Sequence, residues 1–541
     1  MLAADGKCLI SWAVMPLAPG AASHKCESRP GPRCRHENPG VRGIPVARAR
    51  RAQAAGGRSE AAQARPNPCP MQAAAAGPLP VRRRWPPGHT RRLPTPPCTV
   101  PELHTLSNGL RALALHLPGA ATASVSVFVR SGSVHEPRPL SGIGHMVEHM
   151  VFKGTRSRDA HHINFDAEQL GAEVNAHTDK DHSAFHMLGL PAHALSFVPL
   201  LAELVLTPTF PADELVRERQ VLLQEYAEDE DDPMAMAYRL FDHACYGLHP
   251  LAQPAIGRRA NLERFTRDDL VRWVQRQFTA ANTVVAVAGE VDPEAFFAAV
   301  EAGFGAMPAG TPHTVAPVVW HGGLRSRRLE AGSQTHLVLG FPLPPLGDGD
   351  AAGDLAALAF GEGMSSPLMA ELRERRGLVY YAACAADRVA MAGEFVVEAS
   401  FAPDKLGEVL QALTTLLQRQ AEGGAPSDLT RARHQWALRM ARTLERPGAQ
   451  LEAAALELLS LGRVRTPADR LAAAMAVDDQ AVRAVFQRLL AAGVAAGLSG
   501  SLRRGDAALA TKALGPLGAE KDGGVQAPGA PAPVRPRATD H

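Results

Sequence analysis

The chain of 541 residues is 46% hydrophobic and 21% charged, enough apolar mass for more than one core and too much for wholesale disorder. Its formal net charge of +2 hides an asymmetry, because residues 1–98 carry 16 Lys and Arg against 4 Asp and Glu, leaving 41 against 51 in the remainder. An acidic body without a basic face argues against nucleic acid as a partner of the folded part, and five of the seven cysteines fall before residue 99, which argues against a disulfide framework.

In chain order, residues 1–98 are dominated by Ala, Arg, Pro and Gly without helix or strand periodicity, and read as a disordered basic arm. An Arg-rich, acid-poor leader also suits a transit peptide, and a natural start near Met71 would remove most of the arm from the protein. Lys7 ahead of a short apolar run resembles a secretory signal weakly, so cytoplasmic placement is expected, with export to the periplasm as the alternative. No apolar run reaches the ~18 residues of a membrane-spanning helix, so no membrane span is expected.

From Val100 the texture changes. An Asn108-Gly109 turn separates strand-like segments, and Val125, Val127 and Val129 alternate as in a strand. Helical spacing follows over 143–152, 165–170, 194–206 and 211–228, interleaved with strand patterns over 172–178 and 183–190. A helix over 267–278 leads into the β-branched run 283–289, a buried strand. These elements make a first α+β unit over 99–308, and Pro- and Gly-rich text over 309–317 reads as a linker. A second α+β unit spans 318–505, with a strand at 336–341, helices at 367–375 and 405–420 and long Ala/Leu/Arg helices from 427 to 491, before a loose tail over 506–541.

The most informative segment is Gly144-His145-Met146-Val147-Glu148-His149. Two histidines four apart on a helix share one face with β-carbons about 5–6 Å apart, close enough to hold one zinc, and Glu148 sits beside them within reach of a water. This is the inverted zincin spacing H-x-x-E-H, which a chain with 21 His can also show by accident. A catalytic zinc needs a third protein ligand, and Glu218 and Glu225 stand two turns apart on one face of the 211–228 helix. His161, His162, His177, His182 and His186 crowd the same half of the chain. His182 and His186 share a strand face, but no third ligand at helpful spacing joins them, so they read as hairpin and surface residues and one zinc per chain is expected.

At this point the sequence resembles the pitrilysin/insulinase family of inverzincin peptidases, its mitochondrial processing peptidase branch most closely, over roughly residues 103–505. The family's third zinc ligand is a Glu some 76 residues beyond the second His, which Glu225 matches, and its second acidic residue, a heptad earlier, is matched by Glu218 in "ERQVLLQE". "GAEVNAHTDKDHSAFH" is similar to the family's edge-strand segment, in which Asn175 and Ala176 would bind an extended peptide by β-augmentation. "FGEGMSSPLMAELRERRGLVYYAACAAD" is similar to the signature of the second domain, where an Arg and a Tyr seven residues apart, here Arg373 and Tyr380, reach the zinc site of the facing half and hold the substrate or its oxyanion. Where the family has glycine and arginine this chain has Glu362 and Pro367.

The resemblance implies two similar domains, each an antiparallel sheet covered by helices, in a clam-like metallopeptidase architecture. It also implies a dimer, homodimeric or formed with a related subunit, that encloses extended peptide substrates. The activity implied is that of a zinc endopeptidase, with Zn2+ on His145, His149 and Glu225 and with Glu148 as general base. A non-catalytic peptide-binding or assembly subunit is the alternative within the same family.

Overall fold

The structure, a computed structural model, describes residues 100–330, 332–347, 349–518 and 525–526. The basic arm expected over 1–98 lies outside them. The first half runs β1 (Glu102–Thr105), β2 (Arg111–His116), β3 (Ala123–Val129), α1 (Ile143–Val151), α2 (Ala160–Gln169), β4 (Glu173–Thr178), β5 (Ser183–Gly189), α3 (Ala194–Leu206), α4 (Ala212–Asp231), α5 (Pro233–Tyr246), α6 (Arg259–Leu262), α7 (Arg267–Gln277), β6 (Thr283–Gly289) and α8 (Pro293–Phe304). Its strands form one sheet in the order β1-β2-β6-β3-β5-β4, antiparallel except for the β2·β6 pair.

Residues 309–317 carry no helix or strand. The second half runs β7 (Val319–Trp320), β8 (Gly323–Arg328), β9 (Thr335–Leu343), α9 (Asp350–Gly361), α10 (Pro367–Met369), β10 (Val379–Arg388), β11 (Gly393–Phe401), α11 (Leu406–Gly423), α12 (Pro426–Leu444), α13 (Pro447–Leu461), α14 (Pro467–Ala476), α15 (Asp479–Ala492), β12 (Ala495–Gly500), α16 (Asp506–Leu514) and β13 (Val525–Gln526). Five strands form the second sheet in the order β10-β11-β9-β12-β8, with β8·β12 its parallel pair, and β13 pairs with β7 in a separate ribbon. The order repeats β4-β5-β3-β6-β2 strand for strand, so the α+β halves are topological copies. Each sheet is mainly antiparallel, with one parallel crossover pair that strand patterning does not reveal.

Strands β3 and β6 are buried along their whole length because both faces of the first sheet are covered. One face packs on α1, α3, α7 and α8 through Val125, Val127, Val285 and Val287. The other packs on α13 of the second half, where Leu113, Phe128, Ala184 and Val284 meet Leu451, Ala455 and Leu458. Reciprocally, α5 of the first half lies on the second sheet, its Phe241 against Val338, Val396 and Ala495. Each half thus lends one helix to the other's sheet.

The tail expected to be loose from 506 begins instead with α16, and Ala510, Leu514 and Leu517 are fully buried in the second core. Their i, i+4, i+7 spacing is helical, but it is hidden in text whose Ala and Gly content otherwise reads as linker. Cys245 and Cys384 are buried thiols. No helix among the described residues is long and apolar enough to cross a membrane.

Candidate active site

Helix α1 is nine residues long and every one is buried. A helix of that length has little stability of its own, so packing and its N-terminal anchor hold it. Ile143, Met146, Val147 and Met150 enter the first core, while Glu136 accepts hydrogen bonds from the N–H groups of Gly142 and Gly144 at 2.7 and 2.8 Å. The entry turn requires glycine. Gly142 sits at φ 98°, and a β-carbon on Gly257 would lie 2.2 Å from its Cα.

The remaining face of α1 carries His145, Glu148 and His149, all buried. The rings of His145 and His149 lie 4.8 Å apart between centroids at 87°. Helix α4 crosses beside them, seated by Leu215 and Leu222, whose burial stabilises the contact by about 1.5–3 kcal/mol each. It brings Glu225 Oε2 to 3.8 Å from His145 Nε2 and 3.7 Å from His149 Nε2. One turned heptad away, Glu218 accepts from His149 Nδ1 at 3.0 Å and from Lys153 Nζ at 2.8 Å. The His149 imidazole is therefore oriented with Nε2 toward Glu225.

Electrostatics follow from this burial. Desolvation, reinforced by His149, lowers His145 to about 3, so the ring is neutral and one of its nitrogens keeps a free lone pair for a metal. Burial pushes Glu148 up to about 7 against hydrogen bonding from Thr178 at the end of β4. Burial also raises Glu225, whereas at Glu218 the bonds from His149 and Lys153 outweigh burial and hold the carboxyl below its ordinary value.

A four-coordinate ion with ~2.0–2.1 Å bonds places its donors about 3.3–3.5 Å apart. The donor atoms of His145, His149 and Glu225 all lie within 4.8 Å of one another. Glu148 Oε2 and Glu225 Oε2 are buried and find no hydrogen-bond partner among the described residues. Buried carboxylate oxygens normally have partners, and a cation with a water satisfies both. The donor set, two imidazoles and one carboxylate, fits zinc with a position left open.

The other sequence-predicted residues are placed less decisively. Asn175 and Ala176 lie on β4, the edge of the sheet. Asn175 Oδ1 accepts from the N–H of Ala176 at 2.9 Å, so that donor is met within the strand itself. Arg373 lies in a π-helical turn, Ala370–Arg375, whose Leu372 faces the core, and Tyr380 on β10 is 75% exposed. The structure joins neither side chain to the histidine cluster. Sequence reading missed Glu136 and Lys153. Lys153 stands four residues after His149, a spacing that could have flagged it.

Two family models match the chain: insulinase (peptidase family M16) over residues 111–259 and the peptidase M16 inactive domain over residues 264–436. A Rickettsia felis protein named "Uncharacterized zinc protease" is 30% identical over 334 residues, covering 61% of this chain and 80% of that protein. The chain belongs to the insulinase family, M16. A Mycobacterium tuberculosis relative of the same description is 34% identical over 342 residues, covering 62% of this chain and 78% of its own length. Among solved structures, a protease from Helicobacter pylori aligns with a TM-score of 0.68 at 21% identity, over 74% of this chain and 100% of that one. The peptidase M16 inactive domain from Pseudomonas fluorescens aligns at 0.67 and 21%, over 74% and 98%. Both show the shared fold.

Proposed function

We propose that this M16 member is a zinc-dependent endopeptidase acting on peptides or unstructured polypeptides held in extended form. The observation that carries the reading is the convergence of His145, His149 and Glu225 within 4.8 Å, with Glu148 buried beside them on the same helix face. The names of the relatives, zinc proteases, point the same way.

When bound, zinc supplies a Lewis acid that lowers the pKa of water into the neutral range. The protein's own groups do the rest. Glu148, with a carboxyl held near neutrality by burial, accepts the proton of the attacking water and returns it to the leaving amine. Glu218 and Lys153 keep His149 in the orientation that aims Nε2 at the cluster. The edge strand β4 offers main-chain groups to an extended peptide, whose pairing at Ala176 displaces the Asn175 amide. Arg373 and Tyr380, both exposed donors, serve the cluster of a facing half in a dimer, where they stabilise the carbonyl oxygen as it gains charge.

The test is cleavage of a quenched, unstructured peptide by the full chain, before and after zinc chelation, with Glu148→Gln in parallel. Zinc-dependent cleavage that Glu148→Gln abolishes without losing metal supports the reading. Zinc retention without cleavage in the native sequence favours the non-catalytic, peptide-binding role instead.

A further inference from the structure

A second cluster of ligand-type side chains occupies the opposite face of the first sheet. Along β4 and β5, Ala176, Phe185 and Met187 face the helices around α1, and their neighbours face the other way. His177 pairs with Ala184, and Asn175 with His186, while Ala184 packs against α13. His177 and His182, buried at 8% and 3% exposure, bring their Nε2 atoms to 3.2 Å. Glu452 of α13 brings Oε1 to 3.9 Å from His177 Nε2. The three donor atoms lie within 4.8 Å of one another, as in the first cluster. The ring pair repeats the geometry of His145 and His149, with centroids 5.2 Å apart at 87°.

The far nitrogen of each imidazole is held as a metal ligand's usually is. His182 Nδ1 meets Asp181 Oδ1 at 2.7 Å, and Asp181 is itself fixed by the N–H of Ala390 from the second half at 2.9 Å. His177 Nδ1 meets His186 Nε2 at 3.2 Å, and His186 Nδ1 meets Ser126 Oγ at 2.8 Å. Both ligand rings are thereby oriented with Nε2 toward the same point as Glu452. In the metal-free protein an N–H···N bond between the two rings satisfies the same geometry, so the donors are preformed. The sequence offers no hint of the third donor, because Glu452 lies in the second half of the chain and reaches the sheet only through the exchange of α13.

We propose that His177, His182 and Glu452 form a second divalent-metal site, selective for zinc or a similar imidazole-preferring ion, that clasps α13 of the second half to the first sheet. Two imidazoles and a carboxylate suit such ions better than magnesium or calcium. The site is structural: it adds a metal link to the apolar packing and to the bond from Arg111 Nη1 to Leu458 O that already join α13 to the first sheet. It stands whether or not the His145 cluster turns over peptides.

The experiment uses the full chain carrying His149→Ala, which removes the first site. Elemental analysis after loading with Zn2+ and gel filtration, together with the visible absorption of a Co2+-loaded sample, reads the second. The native sequence should hold two zinc ions per chain and His149→Ala one. Adding His182→Ala should remove the remaining ion, and adding Glu452→Gln, a substitution on a partly exposed helix position, should weaken its binding about tenfold or more. Zinc should also raise the melting temperature of His149→Ala, and less so with Glu452→Gln. Circular dichroism separates metal loss from misfolding, and if His182→Ala misfolds, Glu452→Gln carries the test. One ion in the native sequence and none in folded His149→Ala would overturn the proposal, as would a retained ion indifferent to both His182 and Glu452.

Discussion

The two sheets of this protein share a strand order and a parallel crossover pair, yet only one carries the first cluster. In the first half the helix after β3 reads Ile-Gly-His-Met-Val-Glu-His-Met-Val. In the second, the helix after β9 is α9, whose buried face is Leu355, Ala356, Leu358, Ala359 and Phe360. The same position in the same fold is packed with hydrocarbon in one copy and with imidazoles and a carboxylate in the other. The architecture supplies a helix pressed against a sheet, and a handful of side chains decides whether that contact is a core or a site. The cost of burying polar groups there is offset in part because α4 sets Glu218 against His149 and Lys153.

The sharpest way to break the comparison is to remove chemistry without removing packing. Glu148→Gln should lower peptide turnover by about 10²–10⁴ while zinc content by elemental analysis stays unchanged. An equally active variant would strip Glu148 of its role as base. Whether the second half is scaffold alone is asked by Tyr380→Phe, which keeps the ring and deletes one donor. Loss of a transition-state donor lowers kcat by about 10²–10³, and unchanged kcat would leave the second half without a chemical part. A smaller effect is expected at Glu218→Gln, which frees His149 Nδ1 from its carboxylate. Zinc affinity by competition with a chelator should drop about 10–100-fold, and an unaltered affinity would make Glu218 a packing residue.

Much of this was legible in the sequence because it rests on local spacing. The helix over 143–152, the strand over 283–289 and the pairing of Glu218 with Glu225 all follow from periods of 3.6 or 2 within a few turns. The meeting of α1 with α4 was reachable only through the family resemblance, since no period links residues 149 and 225. What was not legible has physical reasons. Helix α5 is coated on the second sheet, not on its own, so its apolar face answers to a partner far along the chain. Helix α9 is so rich in Ala and Gly that its amphipathic contrast is faint, and α16 was hidden the same way. The block expected as long helices over 427–491 is cut into four by Pro447, Pro467 and the Asp478 cap, each of which stops one helix and starts the next. Glu452 was beyond reach for the reason α5 was: a side chain whose role depends on which sheet its helix covers carries no local mark of it.

The least of the expected effects is a pH dependence that the first cluster should show and the matching helix of the second sheet should not. Burial raises Glu148 from its ordinary value of 4.5 to about 7 in the metal-free protein, so the folded state holds this proton more tightly than the unfolded chain does. Stability contributed by the neutral carboxyl is then fully present below pH 4.5 and is lost as pH rises toward 7, at up to about 1.4 kcal/mol per pH unit. Glutamine cannot ionise and escapes this loss. In chelator-stripped protein, melting temperatures of the native sequence and of Glu148→Gln should therefore differ little near pH 4.5, with the variant gaining steadily up to pH 7 and holding its lead at pH 8. Titrating groups remote from Glu148 are common to both proteins and cancel in the difference, and its charged neighbours His149 and Glu225 act on it less than burial does. Leu355→Ala, a cavity at the matching helix of the second sheet, should lower the melting temperature by the same amount at each pH, because nothing ionises with the side chain it removes. A gap between Glu148→Gln and the native sequence that stays flat across this range would show that the carboxyl is solvated in the metal-free state, and that the buried geometry on which its role as base depends is not kept without the metal.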